Sequence, residues 1–126
     1  MEAPVSAHRL IALIVEDDVL IRADIVSEFD WQGWKVLDTG DGEQALTIAK
    51  ENRVDLVITD IQLGGPVNGW DVGEAVRNKW PDAVVVYTSG NAPDRSRLVP
   101  KGQFFDKPVD PAQVVIACQK LCAHAA

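Results

Sequence analysis

The sequence predicts an α/β protein built on one parallel β-sheet with helices on both faces. Two observations support this prediction: the pattern of apolar residues along the chain, and the length and composition of the chain. Short continuous apolar runs, such as residues 10–15 and 56–58, alternate along the chain with segments whose apolar residues recur at helical spacing. Runs of the first kind are typical of strands buried on both faces, as in a parallel sheet. A chain of 126 residues, 47% of them hydrophobic, is long enough for one such domain.

The first part of the chain contains two strand–helix units. The apolar run at 10–15 predicts a strand, and apolar side chains then recur every fourth residue over 19–29, which predicts a helix. Residues 31–34 contain a glycine and form a turn into a short strand at 35–37. The second helix is expected over 43–52, where alanine and aliphatic residues recur at helical spacing.

The middle of the chain predicts the central strand and the helix after it. Residues 55–59 form that strand, and a glycine-rich turn follows it. A helix is expected over 69–80, with Asn68 as its N-cap and Pro81 as its stop. Residues 83–87 are apolar and predict the fourth strand.

The last part of the chain completes the alternation. Residues 91–100 contain prolines near both ends and predict a helix that is short or partly irregular. A short strand at 103–105 precedes a helix over 112–122, with Pro111 in its first turn. Five strand–helix units predict a doubly wound (βα)5 domain whose five-stranded parallel sheet has the flavodoxin-like order 2-1-3-4-5.

The composition argues against several classes of protein. A formal net charge of -7 disfavours direct binding of nucleic acid, which depends on neutralising phosphates. No stretch approaches the ~20 apolar residues of a membrane span, and residues 1–9 lack the apolar core of a secretory signal. Cys118 and Cys122 favour free thiols in a reducing cytoplasm, because a zinc site needs more ligands. We expect a cytoplasmic domain over residues 10–123, after a flexible tail at residues 1–9.

Polar side chains stand where the predicted strands end. Glu16 and Asp17 follow the first strand, Asp60 the third, Thr88 the fourth and Lys107 the fifth. Because the carboxyl ends of parallel strands share one edge, we expect these side chains to converge there. Strands that simply run into polar loops would explain any one of them, but would not explain why the acids follow strands one and three, which are neighbours in this order.

The converging groups predict a particular chemistry. Neighbouring carboxylates raise one another's pKa unless a cation lies between them, and a site with a few carboxylate ligands and open positions suits Mg²⁺. An aspartate beside Mg²⁺ and a lysine can act as the nucleophile towards a phosphoryl group and form an aspartyl-phosphate. The metal and the lysine would neutralise charge on the transferring oxygens, and Thr88 would donate a hydrogen bond to one of them.

The polar residues at the strand ends, taken in their order along the chain, resemble the motifs of the response regulator receiver domains of two-component signalling. That family has an acidic pair after strand one, a phosphoacceptor Asp after strand three, a Thr or Ser after strand four and a Lys-Pro pair after strand five. The corresponding stretches here are Val15-Glu16-Asp17-Asp18, Ile58-Thr59-Asp60, Tyr87-Thr88-Ser89-Gly90 and Asp106-Lys107-Pro108. The likeness covers nearly the whole chain. Because the sequence ends soon after the last predicted helix, it resembles a stand-alone receiver, although a fragment of a longer protein would look the same.

The resemblance implies a role for each site residue. Asp60 would accept the phosphoryl group from a histidine kinase or a phosphotransfer protein. Asp17, Asp60 and the backbone carbonyl of Gln62 would bind Mg²⁺ directly, and Glu16 would assist through water. The protein would not be an enzyme in the ordinary sense, since it would catalyse only its own phosphorylation and a slow autodephosphorylation.

The resemblance also implies how the signal leaves the site. Thr88 would move towards a phosphoryl oxygen, Lys107 would pair with it, and the Lys107–Pro108 peptide bond would be cis. Phe104 stands where the family has its switch aromatic, although a strand-five phenylalanine with no switching role fits nearly as well. A downstream protein partner is expected, and the face formed by the fourth helix, the fifth strand and the fifth helix would be the surface for a homodimer.

Some residues depart from the family pattern. The family usually has a proline four residues after the acceptor, where this chain has Gly64, in a longer loop over residues 64–69. We expect this loop to be more mobile, with backbone N–H groups able to approach the phosphoryl site. Trp70 follows the loop, and its fluorescence is expected to report binding of Mg²⁺ or phosphate.

Three other functions remain to be weighed. A phosphohydrolase with an Asp nucleophile would need an acid two residues further on, where this chain has Gln62. A flavodoxin-like electron carrier would need a phosphate-binding loop after strand one, where Glu16, Asp17 and Asp18 would repel a phosphate. The main alternative is a phosphorylation-independent interaction module of the same fold, and the presence of all five site residues argues against it.

Overall fold

The computed structural model describes residues 9–90 and 95–125. Five strands form one parallel sheet in the order β2-β1-β3-β4-β5, which confirms the predicted fold. The elements are β1 (Ile11–Val15), α1 (Val19–Trp31), β2 (Lys35–Thr39), α2 (Gly42–Glu51), β3 (Leu56–Asp60), α3 (Gly69–Lys79), β4 (Val84–Ser89), a 3₁₀ turn (Arg95–Arg97), β5 (Gln103–Asp106) and α4 (Pro111–Ala125). Of the tail predicted at residues 1–9, all but Arg9 lies outside the described residues.

The central strands β1 and β3 separate two hydrophobic cores. Alternate residues of a strand point to opposite faces of the sheet, so Leu13 and Val57 belong to one core while Ile14 and Ile58 belong to the other. All five residues of β3 are buried. This burial on both faces confirms the interpretation of the apolar runs.

The helices cover the sheet in pairs. α2 and α3 pack on one face, where Ala45 and Val72 are fully buried. α1 and α4 pack on the other face, where Ile25 and Val115 are buried. Both faces of the sheet are therefore closed, and its carboxyl edge is left for the polar groups.

Side-chain caps fix where three of the helices begin. Asp18 accepts hydrogen bonds from two backbone N–H groups at the start of α1, and Asp41 accepts one at the start of α2. Asn68 and Asp71 form a reciprocal capping box at the start of α3, which confirms the predicted N-cap. Each cap stabilises its helix by about 1 kcal/mol. Of these three helices, α1 follows the carboxyl end of β1 and α3 follows the carboxyl end of β3.

The connection from β4 to β5 differs from the predicted (βα)5 pattern. Residues 95–97 form a single 3₁₀ turn, and residues 91–94 lie outside the described part of the chain. Lys101 then adopts a left-handed backbone with φ of 63° before β5 begins. Within residues 9–90 and 95–125 the sheet carries four α-helices rather than five. The prolines near both ends of the segment indicated this shortening.

The cysteines of α4 are free, as expected. Cys118 is buried and Cys122 half-buried, and burial raises the pKa of the two thiols to about 12 and about 11 respectively. Neither thiol is therefore ionised near neutral pH. Among the described residues, no helix has the length and apolar character needed to cross a bilayer.

Candidate functional site

Three carboxylates meet at the carboxyl edge of β1 and β3. β1 pairs with β3 up to Val15 opposite Thr59, so the residues that follow, Glu16 and Asp60, are neighbours across the two strands. One carboxylate oxygen from each of Glu16, Asp17 and Asp60 lies within 4.8 Å of the other two. Glu16 and Asp60 are 3% and 6% exposed, whereas Asp17 is exposed. The convergence predicted for these acids is thus present in the structure.

Lys107 bridges the two buried carboxylates. Its Nζ lies 2.8 Å from Glu16 Oε1 and 2.9 Å from Asp60 Oδ2. The backbone N–H of Lys107 donates to the Ser89 carbonyl at 2.8 Å, which ties the residue to the end of β4. The Lys107–Pro108 peptide bond is cis, as the resemblance implied.

The surroundings shift the pKa of Glu16 and the pKa of Lys107. Burial raises the pKa of Glu16 and outweighs the hydrogen bonds that it accepts from Lys107 and from the Asp18 N–H; the charge of Asp60 raises it further. Desolvation alone would lower the pKa of Lys107, but its hydrogen bonds to Glu16 and Asp60 reverse the effect and raise that pKa. Lys107 is therefore a permanent cation at neutral pH.

Thr88 and Gln62 stand on either side of Asp60. Thr88 is opposite Asp60 in the β3–β4 register and is buried. The Ile61 N–H donates to the Thr88 carbonyl at 3.0 Å. The Gln62 N–H donates to Asp60 Oδ1 at 3.2 Å. Both carboxylate oxygens of Asp60 are therefore hydrogen-bonded, one by Lys107 and one by the chain that follows β3.

The donor set of this cluster fits a divalent cation. Three carboxylates face one ammonium, so the cluster carries two more negative charges than positive ones. Every oxygen in it is a hard ligand, and the exposed Asp17 leaves one side open to water. A small hard ion would relieve the repulsion among the three acids.

The loop after β3 returns tightly to the strand. Ile61 and Leu63 are buried, and the Gly69 N–H donates to the Ile61 carbonyl at 2.8 Å. A Cβ at Gly69 would lie 2.2 Å from the Asp60 carbonyl oxygen, so only glycine allows α3 to begin this close to Asp60. Gly65 adopts a φ of +97°. The mobility expected for residues 64–69 stays a prediction.

Phe104 and Trp70 lie one layer away from the carboxylates. Phe104 is half-buried on β5 opposite Tyr87, and the Arg95 guanidinium lies 4.1 Å from the centre of its ring. Trp70 is buried, and its ring centre lies 4.6 Å from that of Tyr87, the residue before Thr88. Trp70 therefore approaches the site through β4, and its fluorescence response stays a prediction.

Sequence patterns did not reveal three residues that shape the site, namely Arg22, Gly40 and Gly69. Arg22 Nη1 donates to the Glu16 carbonyl at 2.8 Å, and it passes beside Gly40 where a side chain would block it. An arginine in a helix and glycines in loops are common, so none of the three residues stands out in the sequence. The bond from Arg22 to the Glu16 carbonyl and the close approach of Gly69 to the Asp60 carbonyl both involve backbone atoms, which carry no sequence signal.

Comparisons with known proteins agree on one family. A family model for the response regulator receiver domain matches residues 12–119. Transcriptional regulatory protein YvrH of Bacillus subtilis is 27% identical over 107 residues, which cover 81% of this chain and 44% of YvrH. The CAI-1 autoinducer sensor kinase/phosphatase CqsS of Vibrio cholerae is 28% identical over 122 residues, covering 94% of this chain and 18% of CqsS. The chain spans less than half the length of either relative.

Solved structures show the same likeness. The crystal structure of a response regulator receiver protein from Sinorhizobium medicae has a TM-score of 0.88 at 28% identity, and the match covers 96% of this chain and 100% of that chain. The receiver domain of the hybrid histidine kinase CckA has a TM-score of 0.77 at 28% identity, covering 89% of this chain and 98% of that chain.

Proposed function

The chain belongs to the response regulator receiver domain family, and on that premise we propose that it is a phosphorylation-activated switch whose phosphoacceptor is Asp60. One observation carries the proposal. A buried aspartate ends the central strand, is hydrogen-bonded by Lys107, and lies within 4.8 Å of two further carboxylates. Two buried carboxylates beside a third and paired with a single lysine are costly unless a further cation or ligand lies among them.

Asp17, Asp60 and the Gln62 carbonyl would hold Mg²⁺, with Glu16 assisting through water. The hydrogen bond from the Gln62 N–H to Asp60 already keeps the Gln62 backbone beside the acceptor. When bound, the cation would supply positive charge against the phosphoryl oxygens.

The transfer step needs little from the protein beyond positioning and charge. An Asp60 carboxylate oxygen attacks the phosphorus of a phosphohistidine, an O–P bond forms as the N–P bond breaks, and the imidazole nitrogen leaves with the electron pair. Lys107 is held by Glu16 as well as by Asp60. It can therefore turn from Asp60 to a phosphoryl oxygen while Glu16 keeps it in the site.

The signal would leave through Thr88 and Phe104. Thr88 moves towards a phosphoryl oxygen, and Phe104 changes its packing on β5. In the structure, the Arg95 guanidinium covers the Phe104 ring at 4.1 Å. Such a contact is worth about 0.5–1 kcal/mol at an exposed site, so it is small enough for phosphorylation to break.

The partners follow from the family and the charge. The phosphoryl donor would be a histidine kinase or a phosphotransfer protein, and the output would be a downstream protein or a second copy bound to the face of the 3₁₀ turn, β5 and α4. The net charge of -7 disfavours direct contact with nucleic acid. We place the protein in the cytoplasm, where such donors act. It would turn over no substrate beyond its own phosphorylation and slow dephosphorylation.

Intact mass measurement tests this function. Incubation with acetyl phosphate and Mg²⁺ should add one phosphoryl group to the wild type, and omission of Mg²⁺ should prevent the addition. Asp60→Asn should remove the adduct, whereas Asp82→Asn, which alters an exposed aspartate before the start of β4 and so at the opposite edge of the sheet from the site, should keep it. A folded wild type that never gains the adduct would favour the phosphorylation-independent interaction module.

A further inference from the structure

Arg22 reaches from α1 to the backbone that carries the acidic pair. Its Nη1 donates to the Glu16 carbonyl at 2.8 Å, and its Nε lies 3.1 Å from Asp38 Oδ2 at the end of β2. The side chain is 22% exposed, so most of it is packed between these elements. The guanidinium therefore joins β1, α1 and β2 at one point.

The bond that Arg22 makes fixes the peptide between Glu16 and Asp17. A peptide unit is planar, so an arginine that holds the Glu16 carbonyl oxygen also orients the N and Cα of Asp17. The Glu16 N–H donates to the Thr39 carbonyl at 3.1 Å, which holds the preceding peptide. Asp17 itself is exposed, so its position depends on this backbone rather than on packing of its side chain.

Gly40 leaves the space through which the guanidinium passes. A Cβ at Gly40 would lie 2.5 Å from Arg22 Nη1, and 3.4 Å from both the Asp17 Cα and the Glu16 carbonyl oxygen. The first distance is too short for two unbonded atoms. Any side chain at position 40 would therefore push the guanidinium away from the Glu16 carbonyl while leaving Arg22 in the sequence.

From this arrangement we propose that Arg22 is a positioning residue that holds the Glu16–Asp17 peptide so that both carboxylates face one divalent cation. The inference rests on the proposed function, because it concerns the same site. It predicts that Arg22 acts through its bond to the Glu16 carbonyl, and that the ion pair with Asp38 is secondary. An arginine that only linked α1 to β2 would depend on Asp38 instead.

Four variants separate these roles, with the Mg²⁺ dissociation constant of the unphosphorylated protein as the readout. Titration calorimetry should show about tenfold weaker binding for Arg22→Ala, because removing a partner of a metal ligand typically weakens metal affinity ~10- to 100-fold. Gly40→Ala should weaken binding similarly, since it displaces the guanidinium. Asp38→Asn should bind Mg²⁺ like the wild type. Arg22→Lys should lie between Arg22→Ala and the wild type, because an ammonium can reach one acceptor but lacks the planar fork.

Thermal unfolding of each variant without Mg²⁺ supplies a control for the fold. If Arg22→Ala and Asp38→Asn weaken Mg²⁺ binding equally, the ion pair matters and the inference is wrong. If the wild type binds Mg²⁺ and every variant binds it equally well, the inference is again overturned while the proposed function stands. A wild type that neither binds Mg²⁺ nor forms the Asp60 adduct would overturn the proposed function as well.

Discussion

Two parts of the molecule differ in how tightly their side chains are held. The first is the candidate site at the carboxyl ends of β1 and β3, and the second is the segment from residue 95 to the end of β5. At the first, Glu16 and Asp60 are buried and share one lysine. At the second, no residue of β5 is fully buried. The 3₁₀ turn is tied to α3 by Arg97, whose guanidinium pairs with Asp71 at 2.9 Å and with Glu74 at 2.8 Å, all at the surface.

The difference indicates which part of the molecule can move. Breaking a buried charged contact costs several kcal/mol, whereas an exposed ion pair is worth about 0–1 kcal/mol. Regions with few buried apolar contacts open at low free energy. Under the proposed function, the site would therefore keep its geometry while a modest change there rearranges the segment that leads into β5.

Lys107→Ala should have the largest effect on stability. Without the ammonium, two buried carboxylates lose their shared partner, and we expect the free energy of unfolding to fall by about 3 kcal/mol near neutral pH. Urea unfolding measures the loss, with Lys50→Ala at an exposed helix position as the control. Under the proposed function, Mg²⁺ should restore more stability to Lys107→Ala than to the wild type. If the free energy of unfolding falls no more for Lys107→Ala than for Lys50→Ala, then Lys107 stabilises the fold no more than an exposed lysine does, and the prediction is wrong.

The sequence predicted the site because its residues follow directly from strand ends. Each of Glu16, Asp60, Thr88 and Lys107 stands at the carboxyl end of an apolar run, and a parallel sheet brings such ends together. Once the strand order was inferred, no long-range contact had to be guessed. Within the site, the contact of Arg22 with the Glu16 carbonyl escaped prediction because it joins a side chain to backbone.

The segment after β4 was harder to predict, for a physical reason. Its prolines indicated a broken helix, but they did not indicate that Arg97 would bind α3 or that Arg95 would cover Phe104. Surface arginines pair with the acids that tertiary packing brings near them, and the spacing of residues in the sequence does not indicate which acids those are. The sequence therefore predicts that this region is irregular, without predicting what holds it.

Arg97→Ala should have a small effect on global stability and a local effect on β5. The two exposed ion pairs that it removes are worth under about 1 kcal/mol together. Amide hydrogen exchange should accelerate at Phe104 and Phe105 and stay unchanged in β3. Arg53→Ala removes an arginine of similar exposure that pairs with Asp55, just before β3, and serves as the matched control. Equal acceleration in β3 and β5 would show that the two regions unfold together.

The smallest expected effect concerns the titration of Asp71, which ties α3 to the 3₁₀ turn. The Asn68 N–H lowers the pKa of Asp71 most, and the Arg97 guanidinium lowers it further. A carboxyl whose pKa is lower in the folded state stabilises the fold above its unfolded value of about 3.9. That contribution disappears as the pH falls through the lowered pKa. Arg97→Ala should therefore move the pKa of Asp71, followed by NMR, part of the way back to its ordinary value. The Asn68 N–H keeps the rest of the shift, so a complete return would mean that Arg97 also holds the start of α3 in place, and that the loop after Asp60 and the segment before β5 are mechanically joined.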